Sequence, residues 1–201
     1  MDIVHLDAEV IVVNKPAGLL SVPGRGEDKQ DCAIHRVQRV HPEALIVHRL
    51  DMATSGLLLL ARGAAMQRRL SMAFAERRVH KRYIALLQGR LATEGWAEVD
   101  LPLICDWPNR PRQMVDPVRG KPSRTRYRVL ERGAAQTRVE LEPITGRTHQ
   151  LRVHMLALGH AIVGDTLYAA DTQPPAPRLL LHASRLSLPE LGLQLESAPE
   201  F

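Results

Sequence analysis

His48-Arg49-Leu50-Asp51-Met52-Ala53-Thr54-Ser55-Gly56 runs straight into the apolar segment Leu57-Leu58-Leu59-Leu60-Ala61. A carboxylate beside an arginine, in a tight polar turn that opens onto a strand buried on both faces, sits at the rim of a rigid element. That is where a reacting carboxylate has to be held. Charged pairs in turns are nevertheless mostly surface decoration, so the rest of the chain decides what this one does.

The 201 residues are 45% hydrophobic and 24% charged, an ordinary globular mix for one large domain or two small lobes. Two cysteines, Cys32 and Cys105, show no metal-ligand spacing and fit a reducing compartment. No stretch approaches the roughly 18 apolar residues of a membrane span, and the N-terminus lacks a signal-peptide pattern. A cytoplasmic, soluble protein is expected. The net charge is +5, and of 27 basic residues only Lys15, Lys29, Lys81 and Lys121 are lysines. Arginine forks onto phosphate and stacks on bases, so RNA is a candidate partner, although a GC-rich genome enriches arginine too. With 2 Trp, 3 Tyr and 2 Phe, a sheet that stacks bases in series is excluded.

Working outward, residues 9–13 read as a short strand, and Asn14-Lys15-Pro16-Ala17-Gly18 turns out of it. Residues 23–29 read as an exposed loop and 32–40 as a short helix closed by His41-Pro42. Residues 64–77 repeat Met66, Leu70 and Phe74 at helical spacing. Residues 80–88 read as a strand with Lys81 and Tyr83 on one face. Residues 101–113, rich in proline and arginine, read as an arm or long loop with a basic edge. Thr125, Tyr127 and Val129 alternate with Arg124, Arg126 and Arg128, and Thr137, Val139 and Leu141 alternate beyond Gly133, which predicts an antiparallel hairpin. Thr148 is the expected N-cap of a helix burying Leu151, Met155 and Leu158 and ending at Gly159. Residues 178–188 supply another strand. The order of elements predicts an α+β fold with a mixed, largely antiparallel sheet.

Several chemistries can be set aside. His48-Arg49-Leu50-Asp51 has the wrong order for a kinase catalytic loop and no glycine-rich loop precedes it. His149 and His154 are five apart rather than four, without the glutamate of a zinc helix. No Gly-x-Ser-x-Gly elbow occurs. What remains is an aspartate, a strand tyrosine and several arginines, a set that needs no metal or other cofactor. An ionised carboxylate can serve as nucleophile or base, and an arginine beside it favours its charged form.

Taken together the motifs are more specific. Asn14-Lys15-Pro16-Ala17-Gly18, His48 to Gly56, Lys81-Arg82-Tyr83, Gly146-Arg147-Thr148-His149-Gln150-Leu151-Arg152-Val153-His154, Gly164-Asp165-Thr166-Leu167-Tyr168 and Leu180-Leu181-His182-Ala183 occur in one order. This set resembles the RluA family of pseudouridine synthases, isomerases of uridine in folded RNA. Residues 100–111 are most similar to the RluA subgroup, and the resemblance covers about residues 9–187.

The resemblance implies the pseudouridine synthase fold: a central sheet divided by an active-site cleft and flanked by helices and loops. It implies one catalytic domain over residues 1–201, in two lobes, without the S4 domain that many relatives carry. Asp51 corresponds to the catalytic aspartate, Tyr83 to the tyrosine packing on the target base, and Arg152 to the arginine that ion-pairs with the aspartate. Arg49 corresponds to a residue that enters the RNA stem where the uridine has left. His48 and Thr54 in the same motif, with Arg110, Arg112 and Arg126 on the basic arm and hairpin, are further candidate RNA contacts. The expected substrates are large-subunit ribosomal RNA and tRNA anticodon stem-loops, with no metal, no membrane and a monomeric state. The rival reading is a catalytically idle RNA-binding or RNA-remodelling protein.

Overall fold

The computed structural model describes residues 1–169 and 176–201. In chain order the elements are β1 (Asp2–Leu6), β2 (Val10–Lys15), α1 (Ala33–Gln38), β3 (Ala44–Ile46), β4 (Ser55–Arg62), α2 (Ala64–Ala75) and β5 (His80–Gln88). There follow β6 (Trp96–Asp100), β7 (Leu103–Cys105), β8 (Gln113–Val115), β9 (Arg124–Arg132), β10 (Gln136–Pro143), α3 (Gln150–Ala157), β11 (Leu181–Leu188) and β12 (Leu193–Glu196). The chain forms two compact units. It leaves the first between Lys81 and Arg82, within β5, and re-enters it between His182 and Ala183, within β11.

In the first unit the strand order is β1-β2-β4-β11, with β3 beside β4 and β12 beside β11. The leucine run of β4 is buried from Ser55 to Ala61, as a strand covered on both faces must be. One of its faces, through Leu57, Leu59 and Ala61, joins Val10 and Val12 of β2 and Leu186 and Leu188 of β11. Met66, Leu70 and Ala73 of α2 close over this cluster. Full burial of each such leucine contributes roughly 1.5–3 kcal/mol. The helix ends where Arg77 takes φ 61.

The second unit orders its strands β5-β10-β9-β6. The register places Tyr83 opposite Leu141, and Leu141 opposite Tyr127, so these three share one face. Glu140, Arg128 and Trp96 are likewise in line and occupy the other face. The expected hairpin is therefore present, but its partner on the far side, β6, carries no clean alternation and escaped the sequence reading.

Two expectations need correction. Residues 101–113, expected as an arm or long loop, are not loop throughout: Leu103 pairs with Val115 and Cys105 with Gln113, giving a separate two-stranded hairpin. The prolines keep it out of the larger sheet, as anticipated, without preventing a local ladder. Thr148 is not the N-cap of α3; the cap is His149, in the left-handed region, and it makes no side-chain cap bond. The Gln150 side chain ties down the loop before the helix, its carbonyl accepting from the Arg147 N–H at 3.0 Å and the Thr145 hydroxyl at 2.6 Å.

Gly56 has φ 112, and a Cβ there would collide with the backbone of Ala183. Gly63 has φ 81 but open space around it. Gly56→Ala should therefore cost more than about 3 kcal/mol, strain and collision together, whereas Gly63→Ala should cost about 1 kcal/mol. Urea unfolding of the two variants checks this, and equal losses would show that contact with β11 is not what demands glycine.

Candidate active site

The turn that carries Asp51 is held by bonds to three consecutive carbonyls. The Leu50 carbonyl accepts from the Ser21 hydroxyl at 2.8 Å, while the Leu50 N–H donates to the same hydroxyl oxygen at 3.0 Å. The Asp51 carbonyl accepts from the Thr54 N–H at 3.1 Å and closes the turn. The Met52 carbonyl accepts from the Gly18 N–H at 2.8 Å and from the Lys15 ammonium at 3.2 Å. Gly18 reaches that position with φ 85, which explains the glycine that ends the Asn14 to Gly18 turn. Asp51 itself is half-buried, and Arg49 beside it is exposed.

Lys15 is fully buried and also donates to the carbonyls of Pro16 at 2.9 Å and Leu19 at 2.8 Å. Burial pushes its pKa down to about 8, and the charge of Asp51 works in the opposite direction. The first motif of the sequence thus supports the second from beneath.

His48 serves the same turn from the other side. Ile46 pairs with Leu60, and Gly56 lies against Ala183, so the Leu59 amide falls between two ladders on one edge of β4. It donates to His48 Nε2 at 2.9 Å, and the ring stacks on Phe74 with centroids 4.5 Å apart. Burial, with the charge of Lys81 adding to it, pushes the His48 pKa down to about 3. The ring is neutral, as an accepting Nε2 requires. Thr54 is 2% exposed. Both side chains named as RNA candidates therefore turn inward, and Arg49 alone of the three is presented to solvent.

In the second unit Tyr83 is 9% exposed, on the face shared with Leu141 and Tyr127. Arg126 lies on the opposite face. There Arg82, Arg126 and Arg128 surround the Trp96 ring at 4.5, 5.0 and 5.0 Å. Glu142 pairs with Arg82 and Arg126, and Glu140 with Arg82 and Arg128. The predicted arginine face is real, but two carboxylates offset much of its charge.

Arg152 is 4% exposed and grips Asp165 with two bonds of 2.7 Å, Nε to Oδ2 and Nη2 to Oδ1. Its guanidinium lies 5.0 Å from the Tyr168 ring. The Tyr168 hydroxyl accepts from the Gln113 N–H at 2.7 Å and is 2.7 Å from His149 Nδ1. Arg112 stands 5.5 Å from the same ring, and Arg110 lies over the exposed Trp107 at 4.5 Å. Leu103, Val115, Val153 and Tyr168 form the small core that seats the β7–β8 hairpin on α3. His154 is held between Thr125 and the Leu101 carbonyl, and among the described residues no group of acidic, histidine or cysteine side chains could hold a metal.

Lys15 allows a test of the support beneath Asp51. Between about pH 8 and its ordinary 10.5, the folded chain has lost the Lys15 proton and the unfolded chain keeps it. The unfolded state then binds more protons, so stability rises with pH across that window. Relative to Lys15→Met, the wild type should gain up to about 3 kcal/mol between those limits, read from urea unfolding at a series of pH values. A difference that stays flat would mean that Lys15 keeps its proton.

Similarity to known proteins gives the family. The family model for RNA pseudouridylate synthase matches residues 9–157. The dual-specificity RNA pseudouridine synthase RluA of Escherichia coli (strain K12) is 54% identical over 189 residues, 92% of this chain and 85% of the relative. The protein of that name from Yersinia pestis is 51% identical over 196 residues, 96% of this chain and 95% of the relative. The solved structure of human RNA pseudouridylate synthase domain containing 1 matches with a TM-score of 0.81 at 32% identity, over 100% of this chain and 83% of that one. By this family model and these relatives, the chain belongs to the RNA pseudouridylate synthase family, the isomerases that turn uridine in RNA into pseudouridine.

Proposed function

We propose that Asp51 is the reacting carboxylate, that Tyr83 packs on the target uracil and that Arg152 supplies the positive charge that answers the carboxylate. Arg49 enters the stem vacated by the flipped base. The substrates are uridines of large-subunit ribosomal RNA and of tRNA anticodon stem-loops, and the enzyme works as a cytoplasmic monomer. That the Escherichia coli and Yersinia pestis relatives are dual-specificity RNA pseudouridine synthases supports two substrate classes. The observation that carries the assignment of Asp51 is the bonding of carbonyls 50, 51 and 52, which fixes one half-buried carboxylate in a rigid turn.

The chemistry fits these groups. A uridine within a stem-loop must leave its stack before its glycosidic bond is reachable, at a cost of a few kcal/mol. The bond from C1′ to N1 breaks, the uracil turns within the site, and a bond from C1′ to C5 forms. C5 gives up a proton and N1 gains one, so the product is an isomer and no co-substrate is consumed. Asp51 takes part as nucleophile towards ribose or base. The planar guanidinium of Arg49, exposed beside it, is a suitable stand-in for the departed base. His48 and Thr54 act on the shape of the turn. Arg110 and Arg112, on the β7–β8 hairpin, are the RNA contacts we retain, and Arg126 is assigned to the Trp96 network.

Purified protein mixed with a tRNA anticodon stem-loop should form pseudouridine, detected by mass spectrometry of the digested RNA. Asp51→Asn should lower the single-turnover rate by at least about 10³-fold with RNA affinity retained. A wild-type protein that binds the RNA and forms no pseudouridine would favour the idle RNA-binding rival for that substrate. An Asp51→Asn variant of undiminished rate would remove Asp51 from the mechanism.

A further inference from the structure

We infer that Asp165 is a positioning residue that acts through Arg152, setting the place and orientation of its guanidinium for uridine isomerisation. The inference rests on the proposed role of Arg152 in that reaction.

The pair lies wholly inside the second unit. Asp165 is 1% exposed and Arg152 4%, and each carboxylate oxygen takes one guanidinium nitrogen at 2.7 Å. A two-pronged pair of this kind fixes the plane of the guanidinium as well as its position, which a single bond does not. The carboxylate is itself held, because Asp165 Oδ1 also accepts from the N–H groups of Leu167 at 3.1 Å and Tyr168 at 3.2 Å. Gly164 prepares this turn. It has φ 77, and a Cβ there would collide with the Arg178 carbonyl. The Tyr168 ring then limits the guanidinium from one side at 5.0 Å.

This arrangement leaves Arg152 little rotational freedom. Its Nε and Nη2 are committed to Asp165, so the direction of the remaining nitrogen follows from the direction of that carboxylate. Burial makes the dependence strong, since a guanidinium out of water without its carboxylate would carry an uncompensated charge. A displacement of about 1 Å at a reacting group can cost on the order of 10² in rate. Removing one prong should thus be felt in the chemical step more than in RNA binding.

The test uses the full chain with Asp165→Asn, Asp165→Glu, Arg152→Ala and the double variant Asp165→Asn/Arg152→Ala. Single-turnover rates per folded molecule, RNA affinities and thermal melts are measured for each. Asp165→Asn is expected to slow isomerisation roughly 10- to 100-fold with RNA affinity unchanged. Asp165→Glu, which keeps the charge, should recover at least part of that rate. The double variant should be no slower than Arg152→Ala alone, since a group that acts only through Arg152 has nothing left to act on. The inference is overturned if the two losses add, if Asp165→Glu is as slow as Asp165→Asn, or if both variants lose activity only in proportion to lost fold. If Arg152→Ala keeps the full rate, the proposed role of Arg152 has failed instead, and the inference with it.

Discussion

A charged ammonium taken fully out of water costs several kcal/mol unless carbonyls and an opposing charge receive it. Lys15 is such a group, and it is met by the carbonyls of Pro16, Leu19 and Met52, with the negative charge of Asp51 close enough to be felt. The same bond that settles the ammonium fixes the backbone on one side of Asp51. Ser21 fixes it on the other side, through Leu50. The entropy of ordering this turn is met during folding, which is what the proposed role of Asp51 as a reacting carboxylate asks of it.

The second unit divides its labour between the two faces of one sheet. Tyr83 shares a face with Leu141 and Tyr127, while Arg82, Arg126 and Arg128 gather about Trp96 on the other with Glu140 and Glu142 between them. A one-residue slip of register would exchange these faces, moving Tyr83 to the charged side. The Arg–Glu–Trp network makes such a slip of β5 costly, since it would break the Arg82 pairs with Glu140 and Glu142 and strip that cation from the Trp96 ring.

The parts of the fold legible in the sequence are those whose burial leaves a period. The leucine run of β4, the Met66 and Leu70 spacing of α2 and the alternation of β9 and β10 each match the burial in the structure. Strand β1 is exposed along most of its length, β3 has three residues, and β6 mixes tryptophan with acidic residues; none offers a pattern. The helix α3 hides its period for the opposite reason. It is buried from Gln150 to Met155, Arg152 and His154 included, so polarity does not mark an outer face there. Asp51, Arg49, Tyr83 and Arg152 were picked out through an ordered set of motifs. Ser21 lies outside those motifs, and Asp165 lies within one without a role of its own being legible, because their partners are 29 and 13 residues away and no local pattern announces them. His48 and Thr54 share a motif with Arg49, and no local pattern in it tells that they turn inward.

That a single carboxylate, locked in place beforehand, carries the isomerisation is a claim that cells can test. Pseudouridine is mapped at single-nucleotide resolution in ribosomal and transfer RNA from cells lacking the protein, complemented with either the wild type or Asp51→Asn. A set of uridines should be unmodified in the deletion, restored by the wild type and left unmodified by Asp51→Asn. Restoration of those positions by Asp51→Asn would contradict the account.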